Sequence, residues 1–301
     1  MFVCGRFYRH RYPQGREDHR SVIQSLTNCL SSQTSPRGLG VFFMRKFKME
    51  GGILISVYEL PWFKWNGTDV KTYGVQILTL PPIETTPLER TNEVTIPGRS
   101  GSLTITEGDD IYDKISLSCS CIMEDTSKIA SFCAWMKGNG TAKFSNRPNG
   151  YYKGRVSNQI SFDKVLRGYD LRTFSIQLSC EPFFYLDSGN TKFTVTTNKS
   201  ITNPGNARSL PLIKVTGTGE GSIMCGGSTM LIDDFSNVSY IMLDCEAKVA
   251  YKGSKGSASD PLTLLNTRVS GDWLSIPTGS SFMSISGGVT SIEVTPRWRT
   301  I

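Results

Sequence analysis

The chain has 301 residues, 38% hydrophobic and 20% charged, so it can bury a core and is not disordered by composition. No apolar run reaches the ~18 residues of a membrane span, and the basic N-terminus lacks the apolar segment of a signal peptide, which argues against both. The net charge of +7 is uneven: residues 1–48 hold nine Lys/Arg against Glu17 and Asp18, whereas residues 49–301 balance 24 basic against 24 acidic side chains. A neutral body has no global phosphate-binding field, so neither nucleic acid nor a membrane is an expected partner.

Both histidines, His10 and His19, lie in the basic segment. Their absence from the rest removes Ser-His-Asp, Cys-His and His-metal chemistry there, and the expectation is a non-enzyme without cofactor or metal. Residues 1–56 show little periodicity beyond Val22–Leu30 and read as an extension. A basic binding arm, a disordered tail and upstream DNA translated from a misplaced start all fit it. The last is favoured, because Glu50-Gly51-Gly52 can be encoded by a ribosome-binding sequence and Val57 by a GTG start.

From residue 57 the text is strand-like. Gly74–Leu80 alternates and stops at Pro81-Pro82. Val94-Thr95-Ile96 and Leu103-Thr104-Ile105-Thr106 flank the turn-rich Pro97-Gly98-Arg99-Ser100-Gly101-Ser102. Ile115, Leu117, Cys119, Cys121 and Met123 fall on one face of a half-buried strand. One helix follows, capped by Asp125 or Thr126, with Ile129, Phe132, Cys133 and Met136 as its apolar stripe, Trp135 beside it and Gly138 as its stop. Strands are predicted again over 142–144, 156–162 and 174–180, and the pattern breaks at Glu181–Asn190, where a domain boundary is placed. Beyond it, short strands over 192–196, 212–215, 222–225, 230–232, 240–243, 248–251, 273–276, 283–285 and 292–295 alternate with Gly-rich turns at 217–219, 226–227 and 287–288, the spacing of a β-sandwich.

Candidate sites are few. Cys119, Cys121, Cys133, Cys180, Cys225 and Cys245 read as small buried thiols of a reducing compartment, since a lone CxC without histidine is a weak metal signal. Asp109-Asp110 and Asp233-Asp234 read as solvated turn acids. Gly217-Thr218-Gly219-Glu220-Gly221 lacks the GxxxxGK[ST] pattern and reads as a hairpin turn. Trp62, Phe63, Trp65, Tyr151, Tyr152 and Trp273 are candidates for sugar stacking, weighed against a place in the core or an interface.

The order of several segments resembles the distal tail protein family of long-tailed, non-contractile bacteriophages. The carrying segments are Glu89–Gly101, the helix ending in Trp135-Met136-Lys137-Gly138, Ala142–Pro148, Tyr151–Val156, Phe174–Tyr185, Asn203–Ile213 and Val294–Arg299. The likeness spans residues 57–301; residues 1–56 match nothing in that family. It implies a mainly β chain: an N-terminal β-rich belt domain with one α-helix over 57–185, then a C-terminal galectin-like β-sandwich over 186–301 whose last residues return toward the belt. It further implies a homohexameric ring in the virion tail tip, assembled in the bacterial host cytoplasm. The implied partners are the chain itself, the tail tube protein, the tail-tip or tail-associated protein and receptor-binding proteins. Gly98, Arg99, Gly101 and Trp298 are the candidate interface residues. Two other classes stay open: a carbohydrate-binding module for host-envelope attachment, carried by Trp273 or the Tyr151-Tyr152 pair, and a carboxylate glycosidase.

Overall fold

Twenty β-strands and one α-helix build the computed structural model, which describes residues 60–108, 110–165 and 170–301. Residues 1–56, Asp109 and both histidines lie outside the described residues. Tyr58–Ile301 is one compact unit. The chain is mainly β, as expected.

The first half runs β1 (Phe63–Trp65), β2 (Thr68–Asp69), β3 (Val75–Thr79), β4 (Thr91–Thr95), β5 (Ser102–Thr106), β6 (Ile115–Met123), α1 (Ile129–Trp135), β7 (Asn139–Phe144), β8 (Arg147–Val156), β9 (Asp163–Lys164) and β10 (Arg172–Leu186). Its main sheet has the order β2-β1-β7-β8-β10-β6-β3. β6 shows why it forms: Ile115, Leu117, Cys119 and Cys121 are buried while Ser116 and Ser118 face water, a period of two. Asp125 accepts a hydrogen bond from the Ser127 amide at 3.1 Å and starts a 3₁₀ turn that feeds α1. Phe132 and Met136 of the helical stripe are buried, but Cys133 is exposed. Phe132 and Trp135 fill the contact with Tyr73, their rings 5.9 and 4.7 Å from it, and the i+4 position turns outward.

Two expectations fail in this half. No strand continues past Val156, because Asn158 replaces the ladder: its side chain accepts from the Gln177 amide at 2.8 Å and donates to the Ser175 carbonyl at 2.9 Å. β10 does not stop at Cys180. It runs through Pro182 by an irregularity between Cys180 and Phe184, which re-aims Phe183 and Tyr185 into a small cluster with Ala207 while Phe184 stays in the first core.

The second half contains β11 (Phe193–Val195), β12 (Asn198–Asn203), β13 (Leu212–Cys225), β14 (Ser228–Ile232), β15 (Ile241–Asp244), β16 (Val249–Lys252), β17 (Thr263–Leu264), β18 (Val269–Gly271), β19 (Gly279–Thr295) and β20 (Arg299–Thr300). Gly217–Gly221 is no hairpin turn and Gly287-Gly288 no chain reversal. Both lie inside the long antiparallel pair β13–β19, whose register shifts between Thr216 and Gly221. A Cβ on Gly288 would stand 1.7 Å from the Thr218 carbonyl oxygen, so only glycine lets the two backbones cross there. The bend divides the pairing. β13 joins β15 before it and β14 after it, and β19 likewise joins β12 and then β11. The curled sheet encloses a second core that includes Ile213, Val215, Ile223, Met230, Leu274 and Ile292. Residues 273–276 form no strand; Ile276 makes a single bridge with Ser209 before Pro277. β20 leaves this sheet and pairs with β10, Tyr185 opposite Arg299.

Candidate assembly interface

β4 and β5 form a two-stranded sheet of their own in which every residue is exposed. Their register opposes Val94 to Leu103 and Asn92 to Ile105 on one face, and Glu93 to Thr104 on the other. The hairpin is therefore amphipathic, yet Val94 is 44%, Leu103 39% and Ile105 48% exposed. Ile96 continues this face at the strand end, also exposed. An isolated hairpin is marginal in water, and an apolar face left wet adds nothing to its stability.

The tip is a type II turn. Pro97 and Gly98 occupy its centre, Gly98 at φ +80°, and the Arg99 amide donates to the Ile96 carbonyl at 3.2 Å. Gly101, at φ +82°, returns the chain to β5. A Cβ on either glycine would meet nothing among the described residues, so these glycines serve backbone conformation. Arg99 makes no ion pair or side-chain hydrogen bond among the described residues.

The base, by contrast, is clamped. Arg90 reaches Asp113 at 3.1 Å and Glu107 at 3.7 Å, and the Arg90 and Asp113 amides donate to Ile111 and Leu88. Asp110 pairs with Arg208 at 3.3 Å beside a polar cavity of about 370 Å³ that Glu89 and Tyr112 also line. The hairpin has a fixed root and a free blade.

Trp298 lies elsewhere. It is 7% exposed, packs in the second core, and its carbonyl accepts from the Leu186 amide at 2.9 Å. A Cβ on Gly189 would stand 2.3 Å from the Trp298 nitrogen. Arg297 donates to Asp244 at 2.8 and 3.1 Å and to Glu246 at 3.2 Å. Glu246 also accepts from Lys153 at 2.8 Å, and the Tyr185 hydroxyl lies 2.7 Å from Glu246 and from Glu181. Burial would raise the Glu246 carboxyl, but Lys153, Tyr185 and Arg297 together hold it below its usual range. Burial pushes the Tyr185 phenol well up, with both carboxylates adding to the shift. Arg299 is buried over the Phe183 ring at 3.8 Å and donates to the Arg208 carbonyl at 2.6 Å. The segments 203–213 and 294–301, far apart in sequence, thus bind one another: Asn206 accepts from the Ile301 amide at 2.8 Å and Ser209 donates to the Arg297 carbonyl at 3.1 Å.

The remaining candidates resolve by burial. Cys119, Cys121, Cys180, Cys225 and Cys245 are buried and free. Burial pushes the Cys180 and Cys245 thiols up to about 12 and Cys225 to about 11, and the hydrogen bond with Cys119, followed by burial, raises Cys121. Phe63 and Trp65 are core, Tyr152 is buried against Phe184, and Tyr151 stacks on Tyr185 at 5.7 Å, so that pair offers no open stacking platform. Of the aromatics singled out for stacking, Trp273 borders a pocket. Asp234 bonds to the Ser236 amide at 2.7 Å as a turn acid. Among the described residues no cluster of His, Cys, Asp or Glu could hold a metal ion, and no helix is long and apolar enough to cross a membrane. The apolar face of the hairpin escapes sequence reasoning, although its alternation is visible, because only the fold shows that nothing among the described residues covers it.

No protein-family model and no curated protein sequence matches the chain. Among solved structures, the chain is similar to the Dit protein (gp 19.1) of SPP1, described as a paradigm of the hub adsorption apparatus in phages infecting Gram-positive bacteria. The two share 14% identity at a TM-score of 0.57, over 78% of this chain and 98% of that one. With nearly the whole of that protein matched, the chain has a Dit-like fold.

Proposed function

We propose that the protein is a structural component of a phage virion: a distal tail hub whose copies close into a hexameric ring between the tail tube and the tail-tip apparatus. Residues 57–185 serve as the ring-forming belt and 186–301 as a sandwich turned toward host-recognition proteins. The observation that carries this reading is the β4–β5 hairpin. A heterologous contact that rotates back on itself closes a ring, and it needs a patch that the isolated subunit leaves uncovered. The apolar face of Val94, Leu103 and Ile105 is such a patch, with Arg99 at its tip. The Dit-like fold supports a tail structural role, and the number six rests on the family resemblance of the sequence segments. No catalytic role is assigned; the buried thiols and turn acids have structural explanations.

Electron microscopy of the purified full chain tests it. Rings with sixfold symmetry are expected, some of them capping the tip of a co-assembled tail tube. Filaments, or rings of another symmetry, would contradict the proposal.

A further inference from the structure

The second half carries a pocket that the hub reading does not use. It has a volume of about 270 Å³ and opens beside β14, β18 and the turn ahead of β16. Its floor is the buried Met230, its wall the half-buried Trp273, and its rim Lys248, Asn266 and Ser270. None of the lining side chains is acidic.

The donors are unspent. Asn266 uses its carboxamide oxygen to accept from the Ala250 amide at 2.6 Å, which fixes the amide and leaves its NH₂ without a partner among the described residues. The Trp273 indole N–H and the Lys248 ammonium make no hydrogen bond or ion pair among the described residues either. Ser270 donates to Asp233 at 3.2 Å, so its oxygen is the hydroxyl's remaining function in the pocket. Ligand sites combine an apolar wall with a few convergent polar groups, and this one lies just below the usual ~300–1,000 Å³, room for a small unit.

The geometry points to a binding site for one anionic pyranose unit, a uronate, whose C–H face lies on the Trp273 indole and whose carboxylate meets Lys248. The polar assignments follow from donor counting: indole N–H, amide NH₂ and ammonium ask for a ligand rich in acceptors and negative in charge, while the indole face and Met230 ask for an apolar surface. A neutral sugar would satisfy the wall and leave the ammonium unpaired. A bare anion would do the reverse.

Saturation-transfer NMR on the full chain tests this with methyl glucuronide, methyl glucoside and inorganic phosphate at one ionic strength. Binding of the glucuronide in the millimolar range is expected, about tenfold weaker for the glucoside, and none for phosphate. Trp273→Ala should abolish glucuronide binding. Because Trp273 also packs on the second core, the exposed Lys248→Gln is the safer variant: it should cost about tenfold in glucuronide affinity and remove the preference over the glucoside without moving the melting temperature. Failure of the glucuronide to bind overturns the proposal. So does unchanged binding in Lys248→Gln, or phosphate binding as well as the sugar.

Discussion

Two short segments of this chain carry arginine and bulky apolar side chains, and they meet opposite surroundings. Residues 297–301 are absorbed. Trp298 fills the second core, Arg297 is held by two carboxylates, Arg299 lies over Phe183, and β20 completes the sheet of the first half. Residues 91–106 are refused: one face is apolar, the tip carries an arginine, and nothing among the described residues receives either. The difference shows where the subunit ends energetically. The C-terminus belongs to the fold of one copy, whereas the hairpin presents the exposed apolar face that the proposed assembly requires.

The largest effect is expected at Trp298. Trp298→Ala should cost about 3–5 kcal/mol in denaturant unfolding, as for other buried tryptophans, and deleting residues 296–301 should cost more. A loss below ~1 kcal/mol, within the range of surface substitutions, would show the terminus to be passive.

Next comes the charged cluster beneath it. Glu246→Gln leaves Lys153 and Arg297 short of a carboxylate and should cost about 1.5–3 kcal/mol, as for hydrogen bonds to charged groups. Acid should mimic it. Asp244 and Glu246 are both held below their ordinary values, so their contribution is complete above about pH 5 and fades as pH falls through ~4 and below. Urea midpoints that do not fall between about pH 5 and pH 3, or that fall equally in Glu246→Gln, would remove the cluster from the account.

Thiol chemistry sharpens the contrast between inside and outside at smaller cost. In the native described region Cys133 should be the cysteine alkylated by iodoacetamide, while Cys119, Cys121, Cys180, Cys225 and Cys245 react on unfolding; peptide mass mapping reads this directly. The raised thiols also predict an alkaline limit. Their contribution is complete below the unfolded value near ~9 and is lost as pH rises toward the folded values of about 11 to 12.

At the hairpin the expected effect on one copy is smallest. Arg99→Glu should leave the unfolding free energy within ~0.5 kcal/mol, because Arg99 is exposed and makes no ion pair among the described residues, and should weaken self-association seen in sedimentation velocity. A large loss of stability with assembly intact would make the tip structural.

How much of this was legible in the sequence depended on whether one residue type had one meaning. β6 was readable because alternating Ser with Cys, Leu and Ile has no other sensible fold. The Pro97-Gly98 turn was readable for the same reason. Glycine misled at 217–221 and 287–288: it permits both chain reversal and close approach of two backbones, and a one-dimensional pattern does not separate them. Asn158 misled because its side chain took over the work of a strand backbone. The cluster of Lys153, Tyr185, Glu246 and Arg297 left no trace, since its members join across 93 and 61 residues of sequence. Exposure of the hairpin face is likewise a property of the whole fold and not of its alternating text.

The claim that the hairpin face is an assembly surface is tested most directly by light scattering coupled to size-exclusion chromatography. The full chain is compared with Val94→Asp/Leu103→Asp, a variant whose changes lie on exposed positions. A hexamer mass is expected for the full chain at high concentration, a monomer mass for the variant, and melting of the isolated monomer shifted by no more than ~0.5 kcal/mol equivalent. A variant that still elutes as the hexamer, with its stability intact, would contradict it.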